Sequence, residues 1–272
     1  MKKNNSLLLS TPYVLWMLLF TLIPLGVVAV YALTDPSTNE FSLVNIKNLG
    51  MFLPTIGTSI WYALISSLIC LLLGYPVAYY IAHRKPAAQK ILYMLVMLPM
   101  CKSFLLRTLA WVGLLETTGI INRLLGFIGI GPVTLIGTPG AVILGMVYNY
   151  LPYMILPLYA IIVKIDPRLI EAAEDLGCNS LNVFARVVLP LSMPGILSGI
   201  TMVFVPAVST FYISQKLGGT DTMLIGDVIE RQFKSAQNPN LGAALSLVLM
   251  ILVFVCTGIM NRFGGDEEGV VV

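Results

Sequence analysis

The chain has 272 residues, of which 57% are hydrophobic and only 11% charged, and its formal net charge is +3. Soluble proteins carry roughly 25% charged residues, so a mean hydropathy of +0.89 requires lipid to cover much of the surface. This composition excludes a soluble enzyme, and the small net charge gives no support for a nucleic-acid partner.

Six apolar stretches follow one another along the chain, each long enough for a spanning helix of about 20 residues. They cover approximately residues 12–33, 56–82, 90–115, 139–163, 193–214 and 241–262. The first stretch is too long for the core of a signal peptide, and no small-residue cleavage site closes it. The sequence therefore predicts an all-α polytopic membrane protein with six transmembrane helices.

These stretches also predict the domain organisation. Residues 1–55 would form the first transmembrane helix and an outer loop, residues 56–262 a core of five helices, and residues 263–272 a cytoplasmic tail. With the N-terminus in the cytoplasm, nine of the sixteen Lys and Arg residues lie in cytoplasmic segments and five in outer ones. Because positive charges favour the cytoplasmic side, we expect both termini to be cytoplasmic.

Two basic residues interrupt the third stretch. Lys102 lies roughly 18 Å along a straight helix that starts near Lys90, where a charge costs at least about 2.5–3.5 kcal/mol. Either the helix breaks at Pro99, or Lys102 and Arg107 face a water-filled cavity or a partner subunit. A structural salt bridge inside the bundle is the alternative to a place beside a gate or substrate path.

The fourth and fifth stretches are aromatic, polar and interrupted by proline, which is costly against lipid and favourable beside a pathway. Aromatic faces attract cations by about 0.5–2 kcal/mol each, although such rings also serve as an interfacial belt or in helix packing. The candidate pathway or gate residues in and near the membrane are Arg107, Trp111, Tyr148, Tyr150, Tyr153, Phe211 and Tyr212.

Three acids follow the fifth stretch: Asp221, Asp227 and Glu230. On the outer side of the membrane they would form an entrance for a cation or a contact to a protein that delivers the solute. A solvated loop without such a role is the alternative.

The connection at residues 166–194 reads DPRLIEAAEDLGCNSLNVFARVVLPLSMP. Asp166 can cap a helix that starts at Pro167, and Gly177 can end it in a left-handed conformation. Asn179 or Ser180 can cap a second short helix, which we expect to present an apolar stripe and to end at the prolines. The stripe would comprise Leu181, Phe184, Val187 and Val188. An amphipathic hairpin resting on lipid headgroups is the alternative to a docking element.

This connection resembles the EAA loop of type I (MetI-like) ABC importer permeases. The family pattern is EAA, three residues, Gly, and then a hydrophobic-x-Leu-Pro, which this sequence meets between Glu171 and Pro190. Cys178 departs from the small Ala or Ser that is usual after the glycine. We call residues 166–190 the EAA segment. Further stretches resemble the spermidine/putrescine permease branch, namely PMCKSFLLRTLAW, GMVYNYLPYMILPLY and GGTDTMLIGDVIERQF.

The resemblance implies a permease that moves a polyamine by alternating access and couples to a separate ATPase. Its partners would be a second homologous permease, two ATPase subunits and an extracytoplasmic solute-binding protein in the bacterial inner membrane. No cofactor would bind to this chain, and ATP and Mg would bind to the ATPase. The residues that the resemblance assigns to ATPase coupling are Glu171, Ala172, Ala173, Asp175, Gly177, Leu189 and Pro190.

The rest of the sequence gives no catalytic or metal-binding pattern. The four cysteines form no CxxC pair or His/Cys cluster, His83 is the only histidine, and no nucleotide-binding GxxxxGK[ST] motif occurs. An ion-coupled carrier would predict two similar halves, and an intramembrane enzyme would need paired catalytic residues. Within the importer class, another organic cation, an amino-acid-like solute or a phosphonate remains an alternative cargo, because Lys102 and Arg107 would repel a polyamine.

Overall fold

The computed structural model describes residues 12–35, 38, 40–129, 131–219, 222–236 and 238–264. Within these ranges the chain is helical, and its β pairing is limited to one isolated bridge. The described residues form two compact units. One unit runs to Pro54 and includes Val228–Leu252, and the other comprises Thr55–Asp227 with the residues from Val253 onward.

We number the principal helices in chain order. They are α1 (Pro12–Ala32), α2 (Leu53–Ala82), α3 (Pro86–Met97), α4 (Phe104–Leu115), α5 (Ile120–Phe127), α6 (Pro139–Ile162), α7 (Pro167–Asp175), α8 (Ser180–Leu191), α9 (Met193–Val208), α10 (Tyr212–Leu217), α11 (Ile225–Lys234) and α12 (Pro239–Gly264).

In the first unit, α1 is apolar along its length and buries none of its central window against the rest of the chain. A helix that is apolar all round needs lipid or another protein as its surroundings. Its C-terminal end is held by amide side chains: Asn45 Nδ2 donates to the carbonyls of Ala32 (3.2 Å) and Thr34 (2.9 Å). Asn240 Nδ2, near the start of α12, also donates to the Thr34 carbonyl at 2.7 Å.

In the second unit, α6 is the central helix, with 61% of its most apolar window buried. Glycines let α2 and α9 approach it closely, as small residues do between membrane helices. A Cβ atom on Gly199 of α9 would lie 2.6 Å from the Met154 sulfur, and one on Gly74 of α2 would lie 3.1 Å from Met154 Cγ. These three helices therefore form the packed core of the unit.

The third predicted span is not one helix. α3 continues as a tight turn through Leu98–Cys101, and the backbone is extended at Lys102 (ψ 151°) before α4 begins. The predicted break at Pro99 is therefore confirmed to within a few residues. Because the interruption lies at Lys102 itself, this basic side chain is exposed rather than held in the middle of a straight helix.

The fifth predicted span, 193–214, is too long at its end. α9 stops at Val208, Ser209 to Phe211 are not helical, and α10 is a separate short helix. The chain between the fifth and sixth stretches also contains a helix, α11, which the apolar stretches do not indicate. The signals for α11 were an acid in its first turn and Arg231 and Lys234 in its last turn, the charge placement that the helix dipole favours.

The remaining spans agree with the sequence within a few residues. Among the described residues, five helical stretches are long and apolar enough to cross a membrane, and α8 with α9 makes a sixth if this bent pair is one span. The angle between α8 and α9 is 64°. The prediction of an all-α polytopic protein is confirmed.

Candidate coupling segment and membrane pathway

The EAA segment folds as its sequence predicts at both ends of α7. The Asp166 carboxylate accepts a hydrogen bond from the Arg168 backbone N–H at 3.0 Å, and Pro167 occupies the first helical position. Gly177 follows the helix with φ +83°. Glycine adopts this left-handed conformation without the steric cost that a Cβ atom imposes on other residues. The helix is therefore capped at both ends by residues of the segment itself.

The second helix of the segment is longer than predicted. The Asn179 side chain accepts from the Asn182 N–H at 2.8 Å, so the predicted N-terminal cap is present. Pro190 does not end the helix, because α8 runs through it to Leu191 and bends only at Ser192. α8 has a π-helical part over Phe184–Val188 and then a short α-helical part over Leu189–Leu191. Pro190 lies in the first turn of this α-helical part, a position that tolerates proline.

Three leucines of the segment are largely exposed: Leu169 by 49%, Leu176 by 86% and Leu181 by 78%. Of the predicted apolar stripe, Leu181 is exposed, Phe184 and Val187 are half-buried, and Val188 is buried together with Val183. Apolar side chains exposed beside acidic ones are typical of a surface that another protein or the membrane covers.

The residues that the resemblance assigns to coupling lie around these leucines. Most are exposed, whereas Ala173 and Leu189 are half-buried. The exposed ones are Glu171, Ala172, Asp175, Gly177 and Pro190. The segment thus presents its EAA sequence outward on a preformed helix, with its small alanines next to the acids.

Side chains of α2 hold the second helix of the segment. The Phe184 ring meets the Tyr75 ring edge-on at 5.4 Å and the Tyr79 ring at 6.1 Å. At the bend, the hydroxyls of Tyr75 and Ser192 lie 2.8 Å apart and are buried. The sequence did not single out Tyr75 or Ser192. The signal for Ser192 was its place between Pro190 and Pro194, where a serine hydroxyl can bond to a backbone carbonyl that the prolines leave without an N–H partner.

Arg107 is a buried basic residue of the second unit. Its side chain is 8% exposed, and its Nε and Nη1 atoms have no hydrogen-bond partner among the described residues. The salt bridge considered from the sequence is not formed by Arg107, which has no ion-pair partner among the described residues. A buried guanidinium without a counter-charge is costly, so Arg107 stays a candidate functional residue.

The predicted aromatic residues come together around α4 and α6. Trp111 meets Tyr148 edge-on at 5.3 Å, and the rings of Tyr150 and Tyr153 are 6.4 Å apart. Tyr212 of α10 lies 6.2 Å from the ring of Phe104, at the start of α4.

Tyr150 connects this aromatic group to the interruption after α9. Its hydroxyl donates to the Pro206 carbonyl at 3.3 Å. Next to it, the Asn149 side chain is buried, and its Oδ1 has no partner within the described part of the chain. Phe211 is 42% exposed in the interruption itself. The predicted pathway residues therefore gather where α4, α6 and the broken fifth span meet.

Asp227, one of the three acids after the fifth stretch, does not lie in a solvated loop. Asp227 is buried, and its Oδ2 accepts from the Leu224 N–H at 2.9 Å at the start of α11. The backbone approaches closely here, because a Cβ on Gly226 would lie 2.5 Å from the Thr210 carbonyl oxygen. Asp227 thus helps to fix α11 beside the broken span.

The other two predicted acids differ from Asp227. Glu230 pairs with Lys234 at 2.6 Å on α11 itself, and Asp221 lies outside the described residues. Among the described residues, no group of three or more His, Cys, Asp or Glu side chains is arranged to hold a metal ion. All four cysteines, each of them in the described ranges, are free.

Comparisons with known proteins agree with the resemblance found in the EAA segment. Residues 70–264 match the family described as the binding-protein-dependent transport system inner membrane component. The chain is 40% identical over 247 residues to the spermidine/putrescine transport system permease protein PotB of Haemophilus influenzae, covering 88% of this chain and 86% of that protein. It is 37% identical over 247 residues to PotB of Escherichia coli K12, covering 88% and 90%.

Solved structures show the same fold at low sequence identity. A bacterial ABC transporter involved in the import of the acidic polysaccharide alginate matches with a TM-score of 0.81 and 19% identity over 97% of both chains. The inward-facing MetNI methionine ABC transporter matches with a TM-score of 0.60 and 16% identity over 80% of this chain and 96% of that one. The chain therefore belongs to the binding-protein-dependent transport system inner membrane component family, and it is a multi-pass permease subunit of an ABC importer, not an enzyme.

Proposed function

We propose that this permease carries a polyamine, spermidine or putrescine, across the cytoplasmic membrane. The observation that carries the proposal is the 40% and 37% identity, over 88% of the chain, to two permeases named for spermidine and putrescine transport. Those identities extend through the membrane helices, where contacts to a solute arise, and are not confined to the EAA segment.

The grouping of Trp111, Tyr148, Tyr150 and Tyr153 on α4 and α6 supports this cargo. Ring faces attract ammonium groups by about 0.5–2 kcal/mol each, and a polyamine carries several such groups along a flexible apolar chain. Arg107 would repel this cargo. Because its guanidinium is only 8% exposed, we assign it to a position behind the rings and not to the path itself.

We further propose that the EAA segment is the site at which ATP hydrolysis acts on the permease. The chain would pair with a second, homologous permease and with two ATPase subunits that bind ATP and Mg, while a solute-binding protein delivers cargo on the outer side. Both termini would be cytoplasmic, on the same side as the EAA segment. The exposed leucines beside Glu171 support this assignment, since an ATPase that covered them would remove apolar surface from water.

Uptake by the complete complex in proteoliposomes tests the cargo. We expect ATP-dependent accumulation of labelled spermidine and putrescine when the solute-binding protein is present, and none when ATP is replaced by ADP. Amino acids and phosphonates serve as competing solutes, because both were alternatives from the sequence. ATP-dependent uptake of one of these solutes without uptake of a polyamine would contradict the proposed cargo.

A further inference from the structure

The bend between α8 and α9 is built around one buried serine. The Ser192 backbone N–H donates to the Val188 carbonyl at 2.9 Å, and its hydroxyl donates to the Leu189 carbonyl at 3.0 Å. These bonds complete the last turn of α8, and the Ser192 carbonyl then accepts from the Ile196 N–H at 3.0 Å to begin α9. α8 therefore ends and α9 begins at Ser192, and the angle between the two helix axes is 64°.

The hydrogen bond from α2 to this bend has a defined direction. A serine hydroxyl has one hydrogen and can accept through its oxygen. Since Ser192 gives its hydrogen to the Leu189 carbonyl, the Tyr75 hydroxyl must donate to Ser192 Oγ across their 2.8 Å separation. This bond joins residues 117 positions apart in the sequence and attaches α2 to the vertex of the bend.

A second contact attaches α2 to the body of α8. Phe184 is the first residue of the π-helical stretch, and its ring lies edge-on to Tyr75 and Tyr79. Edge-to-face pairs contribute about 0.5–1.5 kcal/mol beyond the area that they bury. Short π-helical stretches occur preferentially at functional sites, and this one separates the capped start of α8 from its bend.

We infer that Tyr75, Phe184 and Ser192 form a joint that transmits movement of the EAA segment to α2. This inference rests on the proposed role of the EAA segment and identifies the residues through which that role reaches the membrane. When the ATPase pushes α7 and the start of α8, the contacts of Phe184 resist the push. The EAA segment then rotates about the bend at Ser192. The Tyr75 hydroxyl makes α2 follow the bend, and α2 is packed on the central helix α6 through Gly74. These are positioning residues, because none of them contacts the cargo path.

The test uses the complete complex with the substitutions Tyr75→Phe and Ser192→Ala, singly and together. Each removes one side of the hydrogen bond, and Tyr75→Phe keeps the ring that contacts Phe184. The matched control is Ser66→Ala, which removes another buried hydroxyl of α2 that contacts Met146 Sδ at 3.3 Å. Two quantities are measured: stimulation of ATP hydrolysis by the solute-binding protein, and spermidine taken up per ATP hydrolysed.

We expect the two single variants to lower both quantities by about fivefold, the factor that one net hydrogen bond provides. The double variant should be no worse than Ser192→Ala, because both lose the bond to Tyr75 and the hydroxyl bond to the Leu189 carbonyl, and the control should behave as the unaltered complex. Equal amounts of ATPase should copurify with every variant, since the docking surface is untouched.

Two results would overturn the joint: normal stimulation in Tyr75→Phe, or losses that multiply in the double variant. The cargo proposal fails separately. If the unaltered complex is stimulated by the solute-binding protein but takes up no spermidine, the cargo is wrong, and the loss of stimulation in Tyr75→Phe still supports the joint.

Discussion

The EAA segment and the region around Arg107 satisfy their polar groups in opposite ways. In the EAA segment the helix ends are capped by neighbouring residues, Asp166, Gly177 and Asn179, and the apolar residues are left exposed. Around Arg107 buried polar atoms are left over instead: Nε and Nη1 of Arg107 and Oδ1 of Asn149 lack hydrogen-bond partners in the described chain. The surface proposed for docking thus exposes apolar side chains to another protein. The region inside the membrane instead keeps buried donors and acceptors without hydrogen-bond partners.

The largest effect is expected when Leu176 and Leu181 are both replaced by Asp, which tests the exposed apolar surface of the EAA segment. Both side chains are highly exposed, so folding should be unaffected, whereas binding of the ATPase should weaken about a hundredfold or more if each contributes about 2 kcal/mol as a hot spot. Copurification of the ATPase with the permease measures the effect. Phe127→Asp is the control, because Phe127 is 88% exposed on α5. Equal ATPase recovery in both variants would show that the leucines are not the docking surface.

Arg107→Met tests the buried side of the comparison. Replacing a buried, unpaired charge by an apolar side chain of similar length should raise the free energy of unfolding by about 2 kcal/mol, within the range measured for such replacements. If the position is functional, uptake should fall although stability rises. Thermal unfolding and uptake are measured on the same preparation, with Lys102→Met as the exposed control. Lower stability with normal uptake would mean that Arg107 has a structural role only.

Gly177→Ala tests the backbone of the EAA segment without adding a clash. A Cβ at Gly177 meets no atom within 4 Å, so the cost comes only from φ +83° and should be about 1 kcal/mol. We expect uptake to fall several-fold as the end of α7 rearranges. Gly126→Ala is the control, because a Cβ there is equally unobstructed and its φ is not positive. Similar uptake by both variants would show that coupling does not depend on the left-handed conformation of Gly177.

The smallest effect is expected for Lys234→Met on α11. The Lys234 side chain is 74% exposed, and an exposed ion pair four residues apart on a helix contributes about 0.3–0.5 kcal/mol. Thermal unfolding should therefore change little, and high salt should abolish the small difference. A loss as large as that expected for Gly177→Ala would show that Glu230 depends on its lysine for more than surface charge.

The sequence predicted those features whose causes are local. The apolar lengths of α1, α2, α6 and α12 gave their spans, and Asp166, Pro167 and Gly177 gave the bounds of α7, because caps and turn conformations depend on adjacent residues. The break near Pro99 was also predictable, since a proline and a lysine occur close together in an apolar run.

The features that the sequence did not give depend on contacts between distant residues. The π-helical stretch in α8 and the bend at Ser192 are held by Phe184 and Tyr75, and Tyr75 lies on a helix more than a hundred positions away. Asp227 resembled a surface acid until the fold placed it at the start of α11. The early end of α9 and the extent of α5 likewise reflect packing that hydropathy does not encode.

The two caps on α7 have a consequence for assembly of the importer. Because Asp166 and Gly177 fix the helix from within the permease, the entropy of ordering these residues is lost when the permease folds and not when the ATPase arrives. An ATPase that docks here, as proposed, meets a preformed helix that it can leave and rejoin without refolding it. Exchange of the ATPase on an intact permease should accordingly be limited by dissociation of the interface alone.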